Sequence, residues 1–204
     1  MEQKDIYLTP TYFIDSDSYT VLELAKVLTQ KSKSLNDEAI KLFYWTRDEI
    51  RYDPYESFVS KRRAYKASAI IHAKKGWCIQ KAVVLAALAR ARGIPTRLHF
   101  ADIRNHQAPK KLIDNMGTDV FIYHGYAELF INYKWVKVTP AFNKELCDKF
   151  QLKIVEFDGD NDAILPEFTN NGEKYIEYLV DRGFEADLPL KKIFLAFFDY
   201  YFSK

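Results

Sequence analysis

Cys78 and His124 are the two side chains of this sequence best placed to perform chemistry on each other. A thiol is a strong nucleophile once deprotonated, and imidazole is the side chain that exchanges protons near neutral pH. Cys78 leads into the run Ala82 to Ala89, in which every residue is apolar. A helix starting at Cys78 presents unpaired backbone N–H groups and the positive end of its dipole to the sulfur, and Lys74 and Lys75 lie just upstream. All of these favour thiolate. The competing reading is a small buried hydrophobe, the common fate of a free cysteine. His124 lies in Tyr123-His124-Gly125-Tyr126-Ala127-Glu128, of strand composition, on the pleat face of Ile122 and Tyr126. Alone it would read as a hydrogen-bonded core residue. A helix that begins with cysteine and packs on a sheet presenting histidine brings thiol and imidazole within proton-transfer reach, and that pairing activates a thiol nucleophile.

The elements that must position this pair are legible from periodicity. The apolar run predicts a helix buried on all sides, closed by Arg90 and Arg92 in its last turn, Gly93 as a left-handed cap and Pro95 beyond. Upstream, Asp15 to Ser18 offers N-cap chemistry for a helix with Val21, Leu24, Ala25 and Leu28 on one face. Asn36 or Asp37 caps a second, in which Ala39, Ile40, Leu42, Phe43 and Ile50 face inward. Residues 1 to 14 read as an edge strand or arm, residues 52 to 66 as loop, and Ser68 as the cap of a short turn through Ile70 and Ile71.

Downstream the period changes to two. Strands are expected over Thr96 to Ile103 and Asp119 to Ile131, with a polar loop through Arg104-Asn105-His106 between them. Asn132-Tyr133-Lys134 turns the chain into a partner strand from Trp135 to Thr139, ended by Pro140. An acidic loop (Asp158, Asp160, Asp162), a helix from about Glu173 to Arg182 closed by Gly183, and an aromatic helix after Pro189 complete the chain. The result is α+β: a cysteine-bearing central helix on an antiparallel sheet, with extra N- and C-terminal helices.

Composition narrows the function. The 204 residues are 48% hydrophobic and 16% aromatic, enough for one substantial domain. The net charge of +2, with both signs interspersed, gives neither a nucleic-acid footprint nor a polybasic membrane patch. The charged first 20 residues hold no apolar signal segment, and no apolar window of roughly 18 residues exists to cross a bilayer. A cytoplasmic protein is expected, with Cys78 and Cys147 as reduced thiols and Cys147 structural. His72, His99 and His106 have no HxxxH or CxxC companion, so surface or supporting roles outrank zinc. Asp102-Ile103-Arg104-Asn105-His106 lines a cleft or forms an ordinary turn, and Trp77 shapes an acyl site or packs. The glycines make no phosphate-binding pattern.

Taken in order, Gly76-Trp77-Cys78, the alanine-rich helix, Arg92-Gly93-Ile94-Pro95-Thr96-Arg97, His124-Gly125-Tyr126-Ala127-Glu128 and Lys134-Trp135-Val136-Lys137-Val138-Thr139-Pro140 resemble the transglutaminase-like superfamily. The resemblance covers roughly residues 40 to 143, inside a single domain of residues 1–204 whose helical extension would run from about 145 to 204. That family includes transglutaminases, peptide N-glycanases and many bacterial proteins thought to be cysteine proteases. The resemblance implies a papain-like fold with Cys78 as nucleophile and His124 as general base and acid, working through a thioester without metal or organic cofactor. The implied reaction is thiol-dependent acyl transfer on the amide bonds of peptides, proteins or other amides, as cysteine peptidase, amidase or transglutaminase. The family usually places an aspartate at the strand end before the proline, where this chain has Thr139. Thr139 or Asn143 would then orient His124. The second reading is a catalytically silent binding module that keeps the fold.

Overall fold

Alanine, valine and leucine without a polar break can bury a helix on every side. The computed structural model, which describes residues 5–55 and 61–203, places helix α4 (Cys78–Ala91) in that position. Every residue from Ala82 to Ala89 is at most 1% exposed. Three helices enclose it on one side: α1 (Tyr19–Thr29), α2 (Leu35–Glu49) and α3 (Ala67–Ala73). The N-cap of α2 is Ser34, whose hydroxyl accepts the Asp37 N–H at 3.2 Å, rather than Asn36 or Asp37. Ser18 precedes α1 without a side-chain cap bond, and Asp15 instead accepts from the backbone N–H and hydroxyl of Ser68. Residues 5 to 9 form a hydrogen-bonded turn, where a strand or arm was expected.

On its other side α4 meets a four-stranded antiparallel sheet ordered β5-β4-β3-β6, with β3 at Thr96–Asn105, β4 at Val120–Ile131, β5 at Lys134–Val138 and β6 at Ile176–Glu185. The hairpin turn uses positive φ at Asn132 and Tyr133, the backbone hand that matches strand twist. A two-stranded parallel ladder, β1 (Arg51–Tyr52) against β2 (Lys75–Gly76), delivers the chain to the start of α4.

The main correction is β6. A helix was expected over 173–182, and the segment is instead an edge strand paired along β3. Ile176, Leu179 and Val180 mimic helical spacing, yet Leu179 and Val180 are solvent-facing sheet residues. Gly183, at φ +77°, serves an irregularity in the ladder instead of a helix cap. Two short helices are added: α5 (Lys110–Met116), in the segment expected to be a polar loop, and α6 (Lys144–Phe150), at the start of the expected helical extension. The aromatic helix after Pro189 is present as α7 (Leu190–Phe197), prolonged by a π turn through Phe202. Within the loop read over 52–66, positions 56–60 lie outside the described residues. No helix among the described residues is long and apolar enough to cross a membrane.

Candidate active site

Cys78 is the first residue of α4, so its sulfur faces backbone donors: the N–H groups of Gly125, Ile79 and Cys78 itself. The Gly125 contact joins helix to sheet, and only glycine permits it. A Cβ at Gly125 would sit 2.8 Å from Ile79 Cγ1 and 3.1 Å from Ile79 Cα. His124 precedes Gly125 in β4, beside the contact with the first turn of α4 that carries the Cys78 thiol. Both line a single cavity between the start of α4, the β3–β4 end of the sheet and α7.

A strained backbone turns β4 at this point. Tyr123 adopts φ +54°, uncommon for a bulky residue, where the β3–β4 register slips between Ala101 and Ile103. Asp102 braces it, accepting the Tyr123 N–H at 3.0 Å while Arg182 of β6 grips the same carboxylate at 2.9 and 2.6 Å. The segment 102–106 therefore divides its work: Asp102 holds the turn and Asn105 lines the cavity.

The electrostatics depart from expectation. Burial pushes the Cys78 thiol up to about 11, and the three backbone N–H groups that favour thiolate do not offset it. Lys74 gives no direct help, because its ammonium lies over the Trp45 ring at 4.4 Å. Burial pulls His124 down to about 4. Its Nε2 is buried and has no hydrogen-bond partner among the described residues. The resting pair is therefore neutral thiol and neutral imidazole.

Thr139 stands one step past Val138, which pairs with Ala127, on the side of the ladder that runs toward His124. Its N–H is held by the Ala163 carbonyl at 2.8 Å, while its buried hydroxyl makes no hydrogen bond of ordinary geometry among the described residues and lies close enough to the Tyr178 hydroxyl to act on its ionisation. Tyr178 of β6 closes this corner: its ring lies 6.4 Å from that of His124, and its hydroxyl meets Leu165 N–H at 3.3 Å. Asn143 is the N-cap residue of α6, and its Oδ1 accepts the Tyr52 N–H at 3.1 Å. Its oxygen is thus occupied in holding β1.

Sequence reasoning missed most of the walls. Phe197 and Tyr201 come from the C-terminal helix and its π turn, and Leu112 and Met116 from α5. Trp77, placed beside the thiol from sequence, does line the cavity, with its ring 5.8 Å from Phe197. The loops 52–66 and 104–118 contribute lining residues, whereas 156–172 contributes none. Cys147 is buried in α6 and burial also pushes it up to about 11. Among the described residues no cluster of three or more histidine, cysteine or acidic side chains is arranged for a metal ion.

Comparison with known proteins bears on the family and the fold. Residues 22–140 match the transglutaminase-like superfamily. A solved structure of a candidate cysteine protease from Cytophaga hutchinsonii superposes with a TM-score of 0.57 at 18% identity, over 92% of this chain and 48% of that one. The chain therefore spans about half the length of that protein. A candidate protease from Parabacteroides distasonis is more distant, with a TM-score of 0.44 at 17% identity over 66% of this chain and 26% of the other. No curated protein matches the chain.

Proposed function

Because the chain belongs to the transglutaminase-like superfamily, we propose that it catalyses acyl transfer from amide bonds, with Cys78 as nucleophile and His124 as its proton partner. The observation that carries this reading is the shared cavity: thiol and imidazole line one pocket, with the Gly125 N–H on the sulfur. With the thiol at about 11 and the imidazole at about 4, forming the ion pair in the empty site costs on the order of 10 kcal/mol before the mutual attraction of the ions is counted. Proton transfer is therefore concerted with attack. Sulfur bonds to the carbonyl carbon as its proton passes to His124, and the oxyanion gathers toward backbone N–H groups at the first turn of α4. Collapse breaks the C–N bond while imidazolium protonates the departing amine, leaving a thioester on Cys78. Water then yields an acid, or a second amine yields a new amide: the C–S bond breaks, and the proton that His124 takes from either nucleophile returns to the departing Cys78 sulfur. Thr139 is the proposed orienting neighbour of His124, and no step requires a metal or organic cofactor.

Trapping tests this directly. Brief incubation with an amide substrate followed by acid quench and peptide mass analysis should find the acyl group on Cys78 and not on Cys147. Adding an amine should divert the product from acid to amide if transamidation operates. The His124 Nε2 and Thr139 hydroxyl, which make no hydrogen bond of ordinary geometry among the described residues, favour a second reading, a silent module that binds without turnover. That reading is selected if substrates bind and no acyl-enzyme forms.

A further inference from the structure

The cavity that holds Cys78 and His124 has an unusual wall: among its described lining residues there is no Asp, Glu, Lys or Arg. Phe121, Phe142, Leu112, Met116, Phe197 and Tyr201 are among the residues that line it. The polar exceptions besides the reacting pair are mainly neutral amides, Asn105 and Gln107, grouped at the α5 side. Both are partly engaged, Asn105 Oδ1 with the Gln107 N–H at 3.0 Å and Gln107 Nε2 with the Lys174 carbonyl at 3.1 Å. Lys111 stands 5.9 Å over the ring of Tyr55, a lining residue, and does not itself line the cavity.

Resting on the thiol acyl-transfer reading above, we infer that the substrate is an amide carrying a bulky, uncharged apolar side chain, aromatic or leucine-like, beside the carbonyl that Cys78 attacks. A charged group entering this pocket would lose its water without gaining a counter-ion, and the penalty for an unpaired buried charge far exceeds the gain from its alkyl stem. An apolar group gains by leaving water and meets aromatic faces already in position. The neutral amides suit the other need of such a substrate, hydrogen bonds to a peptide backbone without demanding charge. The wall is assembled from widely separated parts of the chain, among them α5, the β4 end, the α6 segment and the C-terminal helix, so its apolarity is a property of the whole pocket.

Leu112 provides the test, because α5 has no buried residue and a charge there leaves the core intact. Release of aminomethylcoumarin would be compared for the acetyl-Phe, acetyl-Leu, acetyl-Glu and acetyl-Lys amides. Binding of acetyl-phenylalanine amide and acetyl-glutamate amide to the Cys78→Ala protein would be followed in parallel by calorimetry. The Phe and Leu amides should exceed the charged ones by about tenfold or more in kcat/KM, and Leu112→Glu should weaken acetyl-phenylalanine amide by a similar factor. Leu112→Lys should shift the ratio toward the Glu amide. Coumarin release that favours a charged amide overturns the inference and leaves the thiol chemistry standing. Apolar binding that is lost in Leu112→Glu, with no release from any amide, upholds the pocket and sinks the chemistry. Equal binding of both acetyl amides, no binding at all, or indifference to Leu112→Glu overturns the pocket.

Discussion

Two buried histidines on neighbouring strands lie near the same tyrosine ring and have opposite fates. His99 of β3 stacks on Tyr126 at 4.8 Å, and His124 lies 6.2 Å from that ring. His99 has both nitrogens bonded to carboxylates, Nδ1 to Glu128 at 2.8 Å and Nε2 to Asp181 at 2.7 Å. Glu128 is also bonded by Arg97, whose guanidinium lies over Phe184 at 3.5 Å. Burial would lower the pKa of His99, but Glu128 and Asp181 raise it above the ordinary value. For His124 burial acts without such compensation and the pKa falls to about 4. Fully bonded, the first imidazole is a brace. The second retains a buried nitrogen with no hydrogen-bond partner among the described residues, an exception to the usual rule for buried polar groups.

The sharpest way to break this contrast is to exchange the two residues' consequences. His124→Ala should lower kcat for an amide substrate by about a thousandfold, in the range of a lost general base and acid, while His99→Gln should leave kcat close to wild type once the protein is folded. A comparable loss from both would show that His124 acts only through packing.

Stability against pH separates them next. His124 binds a proton in the unfolded chain near 6.5 but in the folded one only near 4. Its buried neutral ring therefore costs stability as pH falls through that window, by about 3 kcal/mol in total. His99 is shifted the other way, so its contribution is fully present below the unfolded value and fades as pH rises through its raised folded value. Thermal melts from pH 4 to 8 should show His124→Asn flattening the acid-side decline and His99→Gln steepening it. Parallel curves for wild type and both variants would contradict the assignment.

Smaller effects fall on the third position. Thr139→Val should reduce the rate by about 1 to 3 kcal/mol through lost orientation of the imidazole, and Thr139→Asp should retain or raise it. Asn143→Ala frees the Tyr52 N–H rather than the histidine, so it should disturb KM more than kcat. If valine at 139 is silent and alanine at 143 severe, the orienting role belongs to Asn143. The smallest effect is His99→Gln on stability at pH 6, about 1 to 2 kcal/mol by denaturant titration, because Glu128 keeps its bond to Arg97 and Asp181 is exposed.

The central helix and the β4–β5 hairpin were readable because their signals are local: a continuous apolar run, an alternating one, and a turn at Asn132-Tyr133. Strand β6 was not, since Ile176, Leu179 and Val180 fit a helix as well as a half-exposed edge, and only pairing with β3 decides between them. Cys78 and His124 were legible by type and place, but their protonation was not. Helix dipole and upstream lysines argued for thiolate, whereas burial, a product of the whole fold, outweighs them at the sulfur. The cavity wall was hidden for a related reason. Leu112, Phe142 and Phe197 are far apart in the chain and carry no common pattern. Lys81 was hidden too. Though fully buried in the core helix, it donates to the carbonyls of Arg47, at 2.8 Å, and Ile50, and burial lowers its ammonium to about 7.

The contact between Gly125 and Ile79 works as a gauge block. The Gly125 backbone rests against both the side chain and the Cα of Ile79, so helix and strand approach here as closely as a residue without a Cβ allows, and on the proposed chemistry that approach helps to set the separation of Cys78 and His124. One added methyl group at position 125 would clash with Ile79 and, on the proposed chemistry, part Cys78 from His124 while leaving each of them present.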